Sequence, residues 1–326
     1  MVRGRRTGTG VGAASVGIGG PPCGGEKRLR SRCPESSPGG SAGSQTQGCQ
    51  CHRGGGTGRL TVVSLGPGAP EYLAPEARAA LVASQVVVGY RTYLDLVAPL
   101  LIHQEVVATG MKAEMERCQA AIAQTLAGRQ VALVSGGDAG IYGMAGLVLE
   151  ICAARGLRVG RPGMAGEVDF YLEVIPGIPA LAAGAALLGA PLMHDFAAIS
   201  LSDLLTPWEV IEKRVEAAAR GDFVIVFYNP KSKKRDWQLP AAVEIILRHR
   251  PPDTPVGLVH RAMRVGEEIA VSTLKDLPLQ PVDMQTIVFV GNSRTFRYGP
   301  YLVTPRGYLT KYPWGESQVA SPTEDR

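Results

Sequence analysis

From Arg59 onward, short apolar runs of strand length alternate with helical segments, and several of the runs end in glycine. Residues 60–65 run into Gly66-Pro67-Gly68, residues 131–134 into Ser135-Gly136-Gly137-Asp138, and residues 172–175 into Pro176-Gly177. This alternation leaves a chain few options. Successive strands run parallel, and helices cross back over both faces of the sheet. Glycine at a strand-to-helix junction permits a tight turn and lets a ligand approach the backbone closely. Ligands of open α/β sheets sit just beyond the carboxyl ends of strands, so these loops are where a site is expected.

The pattern predicts strands over 60–65, 86–89, 131–134 and 172–175, with helices over 75–83, 112–127 and 144–153. It restarts with strands over 197–201, 223–228, 256–260, 268–272 and 286–290 and helices from Thr206 to about Arg220 and over 239–248. Thr206-Pro207-Trp208-Glu209 fits a capping box with proline at the first helical position. The chain therefore divides into a tail (1–58), a first α/β domain (59–193), a second (194–312) and a flexible C-terminus (313–326). The expected boundary lies at residues 191–195, with a ligand cleft between the two domains.

Asp138 stands at the mouth of the second glycine loop. It reads either as a carboxylate that accepts hydrogen bonds from a hydroxyl- or amino-bearing ligand, or as the cap of the following helix. The first loop fails as a dinucleotide fingerprint. G-x-G-x-x-G requires glycine where this chain has Glu71, and Pro67 removes an amide that a phosphate would use. No Gly-Lys-Ser/Thr follows either, so neither loop is a phosphate cradle.

The net charge of +5 misleads. Residues 1–59 hold nine Lys/Arg against two Glu, which leaves 25 basic and 27 acidic residues in the remainder, or −2. A nearly neutral folded part argues against a dedicated nucleic-acid enzyme. The tail, rich in Gly, Ser, Arg and Pro, has too little apolar surface to offset chain entropy and reads as disordered. Four of six cysteines lie in it: Cys23, Cys33, Cys49 and Cys51. Cys49-Gln50-Cys51-His52 matches no common zinc spacing, and no metal is expected. Cys118 and Cys152 read as buried free thiols of a reducing, cytoplasmic setting. Residues 174–193 carry no charge, but Pro176, Pro179 and Pro191 make them a short buried helix over 180–188 rather than a membrane span.

Four motifs in order resemble the tetrapyrrole methylases: Gly66-Pro67-Gly68, Gly136-Gly137-Asp138, Ile175-Pro176-Gly177-Ile178-Pro179-Ala180 and Phe227-Tyr228-Asn229-Pro230. The resemblance covers residues 58–312. It implies two α/β domains with S-adenosylmethionine folded into the cleft between them. Residues 135–147, 191–203 and 257–262 bring it nearest to the members that methylate carbon 17 of precorrin-3B, or of its cobalt analogue, and contract the ring to give precorrin-4. Carried over by position, the cofactor-binding residues would be Pro67, Gly136, Gly137, Asp138, Ile141, Pro179, Ala180, Asn229 and Ala262. The sequence departs from the family near Pro179, where Thr or Ser is frequent, and at Asn229, where Met is frequent.

The same resemblance turns the first glycine loop toward the macrocycle, so Gly66 and Gly68 join Lys112 and Arg261 as substrate-binding candidates. The substrate is a polycarboxylate, for which basic groups are suited. Arg91, Lys231, Arg264 and Arg294 also lie beside motif ends. Contraction requires a base for the substrate hydroxyl, and the candidates are His194, with Asp195 as partner, and His260. A homodimer is implied; nucleic acid and membrane partners are not. Two other readings stand beside this one. A family member could methylate another macrocycle carbon, ribosomal RNA or a modified histidine; alternatively the Arg/Gly tail could bind nucleic acid with steep salt dependence.

Overall fold

The computed structural model describes residues 56–312. The expectations for the tail, its cysteines and the C-terminus fall outside those residues, apart from Gly56–Gly58 of the tail. The first lobe is built from β1 (Arg59–Ser64), α1 (Pro75–Ala83), β2 (Val86–Tyr90), α2 (Arg91–Val97), β3 (Glu105–Thr109), α3 (Glu114–Leu126), β4 (Gln130–Ser135), α4 (Met144–Ala154), β5 (Val159–Gly160) and β6 (Phe170–Ile175). Its six strands are all parallel, in the order β3-β2-β4-β1-β6-β5. Strand β1 is therefore central, flanked by β4 on one side and β6 on the other. That is the switch point at which doubly wound sheets open a crevice.

Both faces of this sheet are covered, as continuous apolar strands require. Leu60, Val62, Val131 and Leu133 pack with Cys118, Ile122, Val148 and Cys152 of α3 and α4. Val63, Val87, Ala132 and Val134 pack with Ala77, Leu81 and Leu94 of α1 and α2. Alternation along β1 thus sends successive side chains to opposite cores. Each fully buried aliphatic side chain contributes about 1.5–3 kcal/mol of transfer free energy.

The chain continues through α5 (Ala180–Leu188), β7 (Gly189–Ala190), β8 (Phe196–Ser200), α6 (Trp208–Arg220), β9 (Val224–Tyr228), α7 (Gln238–Leu247), β10 (Pro255–His260), β11 (Glu268–Thr273), β12 (Thr286–Val290), β13 (Phe296–Tyr298), β14 (Tyr301–Val303) and α8 (Tyr308–Lys311). The second sheet, β11-β10-β12-β9-β8, is mixed: only β8 and β9 are parallel. Here the structure departs from a simple restart of the first pattern. β10, β11 and β12 are joined by loops without crossover helices, and such connections suit antiparallel neighbours. One face packs on α6 and α7 through Leu258, Val288, Ile225 and Phe227. The other packs on α5 through Val226, Val259, Ile287 and Phe289. Helix α5, assigned with the first lobe by sequence, thus buries its apolar face on the second sheet.

Three further expectations change. Helix α6 begins at Trp208 with Pro207 as its N-cap, and no side-chain capping bond forms, so the capping box is absent. Lys112 precedes α3 in a left-handed turn (φ +66°) rather than opening that helix. β3, absent from the expected strands, is an edge strand whose short run Val106-Val107-Ala108 is largely exposed. Among the described residues, no helix is long and apolar enough to cross a membrane.

Candidate functional site

Strand register brings the glycine loops to one level. Ser64 of β1 pairs with Ser135 of β4, and Val63 with Ile175 of β6, so all three loops leave the sheet side by side. They are then knitted together. Gly66 and Gly137 exchange two backbone hydrogen bonds (3.0 and 2.8 Å), both in left-handed backbone (φ +64° and +67°). The Ala139 amide donates to Ser64 Oγ at 2.8 Å. Gly177 fits between them so closely that a Cβ there would lie 2.6 Å from the Gly137 carbonyl oxygen and 2.6 Å from Ser64 Cβ.

Asp138 completes the junction. One carboxylate oxygen accepts from the Gly140 amide (2.8 Å) and the other from the Gly177 amide (3.0 Å). The cap of α4 is Gly143, not Asp138. The carboxylate is therefore neither a helix cap nor a group left free for a ligand alone. It ties the loop after β4 to the loop after β6, and backbone amides are its first partners.

The second sheet supplies the opposite wall. β10 and β9 both run antiparallel to β12, so they point the same way, and the ends of β8, β9 and β10 share one edge. Residues at that edge hold unusual backbone: Asn229 (φ +50°), Arg261 (φ +48°) and Met263 (φ +56°) are left-handed without being glycine. Such conformations cost of order 1–3 kcal/mol each and cluster where sites are built. Asn229 is steadied by a 3.0 Å bond from its Nδ2 to Ser200 Oγ, and Arg261 by one from Nε to Gln285 Oε1, also 3.0 Å.

Between these walls lies an open cleft. Pro67, Gly136, Gly137, Asp138, Ile141, Pro179, Ala180, Asn229 and Ala262 all line it. The structure thus gathers the nine residues named as a cofactor set from five separated segments into one surface. Arg261 lines it as well. Gly66 stands one step behind through its pairing with Gly137, and Gly68 lies against the Arg264 guanidinium. Lys112 is not among the lining residues.

The histidines are placed differently. Along β10, Val259 faces the cleft and α5, whereas Leu258 faces α6 and α7. His260, at the end of the strand, is not among the lining residues, although Thr286, its cross-strand partner, is. Its Nδ1 lies 3.2 Å from Asp283 Oδ1 and 3.3 Å from Thr286 Oγ1. That arrangement tethers the strand ends, and His260 stands beside the cleft through Thr286 rather than among its lining residues. His194 precedes β8 and is not among the lining residues. Its Nδ1 accepts the Asp195 amide at 2.8 Å and lies 3.6 Å from the Asp195 carboxylate.

Several lining residues were not named as site residues from sequence. Tyr93 backs the Gly136 loop so closely that a Cβ on Gly136 would lie 2.6 Å from the phenol ring; it sits on α2, a helix the sequence did not announce. Tyr142 and Tyr228 were visible inside their motifs and pack with ring centroids 5.0 Å apart. Burial pushes the Tyr228 hydroxyl up to about 12, opposed by the Leu181 amide that donates to it at 3.0 Å. Met284, Gln285 and Ile287 come from the start of β12 and the loop before it, where no motif marked them. Among the described residues no cluster of three His, Cys, Asp or Glu could hold a metal.

Residues 59–278 match the family model for tetrapyrrole (corrin/porphyrin) methylases. The chain is 49% identical over 261 residues to a cobalt-factor III methyltransferase of Priestia megaterium, covering 80% of this chain but 47% of that protein, about half its length. It is 49% identical over 249 residues to a probable cobalt-factor III C(17)-methyltransferase of Salmonella typhimurium, covering 76% of this chain and 99% of that one. A precorrin-3B C(17)-methyltransferase of a Sinorhizobium species is 42% identical over 73% of this chain and 91% of its own.

Among solved structures, the methyltransferase CobJ superposes with a TM-score of 0.69 at 39% identity, over 76% of this chain and all of that one. Uroporphyrin-III C-methyltransferase of Thermus thermophilus, solved with S-adenyl homocysteine, superposes with a TM-score of 0.52 at 25% identity, over 72% and 97%. The ordered motifs, the two-lobed fold and these similarities agree: the chain belongs to the tetrapyrrole (corrin/porphyrin) methylases.

Proposed function

We propose that this chain transfers a methyl group from S-adenosylmethionine to carbon 17 of precorrin-3B, or of its cobalt-containing counterpart, with contraction of the macrocycle, in cobalamin biosynthesis. The observation that carries the reading is the convergence of nine motif residues on one interlobe cleft. The names of relatives at 42–49% identity support carbon 17 as the position.

The cleft suits the methyl donor. Ile141, Pro179, Ala180, Val259, Ala262 and Ile287 offer apolar surface for a flat heterocycle. Tyr93 fills the space behind Gly136, so the loop backbone itself forms part of the wall. Neither glycine loop has the pattern of a phosphate cradle, in keeping with a donor that carries no phosphate. When bound, the sulfonium supplies an electrophilic methyl group. The chain's part is to hold donor and acceptor carbon in line, worth about 7–11 kcal/mol of barrier when geometry is near attack. Gly66, Gly68, Lys112 and Arg261 are assigned to the macrocycle side, with Arg261 meeting a carboxylate.

The hydroxyl proton lost in contraction goes to His194, oriented by Asp195. Of the two histidines first considered, His260 is tethered to Asp283 and Thr286, whereas the contacts of His194 are with its neighbour Asp195. The protein acts as a homodimer in the cytoplasm, as its family resemblance implies. The test is incubation of the full chain with S-adenosylmethionine and either substrate, followed by mass spectrometry and NMR of the product. One added methyl group at carbon 17 in a contracted ring is expected. Methylation of another carbon, or none by a well-folded protein, overturns the reading.

A further inference from the structure

Two side chains bridge the cleft, one from each lobe, and each ends on a backbone carbonyl of the other. Tyr142 belongs to the loop between β4 and α4, and its hydroxyl donates to the Ala198 carbonyl of β8 at 3.0 Å. Arg264 belongs to the turn after β10, and its Nε donates to the Pro67 carbonyl in the loop after β1. Both residues also line the cleft.

The surroundings explain why these two hold. β8 is the edge strand of the second sheet, so one side of its backbone is left unpaired by the sheet. Ala198 C=O and Ser200 N–H lie two residues apart and face the same side of the strand. Tyr142 is held in left-handed backbone (φ +52°), and its ring rests against Tyr228 of the second lobe. Burial raises the Tyr142 hydroxyl above its ordinary range, with the Ser200 backbone opposing, so at neutral pH it keeps the proton it donates. On the other strap, Gly68 has no side chain where the Arg264 guanidinium passes; a Cβ there would lie 2.6 Å from Nε. Burial lowers the Arg264 guanidinium, and among the described residues no carboxylate is paired with it, so the Pro67 carbonyl is a principal partner.

We propose that Tyr142 and Arg264 are positioning residues: two straps that fix the separation of the lobes and so hold the methyl donor and its acceptor in register. The proposal deepens the functional reading above and rests on it for the ligand used in its test. Tyr142→Phe removes only the hydroxyl, and one neutral hydrogen bond corresponds to roughly a twofold to tenfold change. Arg264→Met removes a charged donor and leaves a carbonyl unpaired, roughly a tenfold to hundredfold change. Arg264→Lys keeps charge and a donor on a shorter reach, so it should recover part of the loss.

The experiment compares the full chain with Tyr142→Phe, Arg264→Met, Arg264→Lys and the double variant. Three readouts are taken: S-adenosylhomocysteine affinity, kcat against KM, and hydrogen exchange without ligand over 136–143 and 196–200. The expected result is weakened binding, a fall in kcat beyond that in melting temperature, partial rescue by lysine, and a double variant less impaired than the product of the singles. Faster exchange should appear at the Ser200 amide while α6 and α7 keep theirs. Singles that bind within twofold of the parent, with unchanged exchange in both segments, overturn the proposal. A parent protein that binds no S-adenosylhomocysteine contradicts the functional reading instead. The exchange data then decide the straps alone, since they need no ligand.

Discussion

The two lobes face one cleft but are built on opposite plans. The first sheet runs all six strands one way, whereas three of the four pairings in the second are antiparallel. In the first lobe, the site is backbone. Gly66, Gly137 and Gly177 interlock, and Asp138 binds the junction. In the second, the lining includes side-chain-bearing residues on left-handed backbone, Asn229 and Arg261. A parallel sheet delivers every carboxyl end to one edge, so loops alone can build a floor. A mixed sheet delivers fewer, and shaped residues such as Asn229 and Arg261 make up the difference. We read the first lobe as the fixed platform and the second as the part that selects the ligand.

The widest separation should appear within the second region, between its two histidines. His194→Ala should slow ring contraction by about 10²–10⁴-fold, the usual worth of a general base. His260→Gln, which keeps a side-chain partner for Asp283 and Thr286, should stay within about twofold of the parent. Single-turnover analysis that separates methylation from contraction checks both, and equal effects would erase the distinction.

Gly177→Ala probes the platform. Its Cβ meets backbone on one side and Ser64 on the other, and overpacking of this kind costs about 1–3 kcal/mol. Denaturant titration should show the lowered midpoint, together with lost S-adenosylhomocysteine binding. Arg261→Ala is the counterpart in the second lobe. Stability should change by about 0.5 kcal/mol or less, while KM for the macrocycle rises. If both glycine and arginine variants act on stability alone, the division between platform and selector fails.

Asp138→Asn keeps the shape but places an NH₂ where one of the amides of Gly140 and Gly177 needs an acceptor. The expected loss is about 1–3 kcal/mol, read by thermal melting. The smallest effect concerns the core beneath the first sheet. Burial pushes the Cys118 thiol up to about 11 from an ordinary 9.0. The folded state therefore holds its proton longer than the unfolded chain. That contribution to stability is fully present below pH 9 and is lost as pH rises through 11. Peptide-resolved alkylation at pH 8 should leave Cys118 unmodified until the protein unfolds.

Much of the platform was legible in the sequence because its signals are local. Residues 60–65, 131–134 and 172–175 announced β1, β4 and β6, and the glycines after them announced loops. The cofactor set came from the family resemblance, and the fold gathered all nine of its residues. The selector was less legible. Strand direction is a property of pairing, and nothing in residues 256–290 states that β10, β11 and β12 alternate in sense. Whether His260 reaches the cleft depends on how the end of β10 pairs with β12, which residue type does not state. Tyr93 was missed because a seven-residue helix carries too short a pattern. Asp138 was visible in its loop, but its partners, Gly140 and Gly177, show only once the loops meet.

Under the proposed function, the interlobe cleft holds the methyl donor. The most direct test is calorimetric titration of the full chain with S-adenosylhomocysteine, beside Ala262→Phe, which fills the cleft wall without touching the glycine junction. The account predicts one site per chain, with binding abolished in a variant that melts like the parent. A well-folded parent that releases no heat, or a phenylalanine variant that binds equally well, would contradict it.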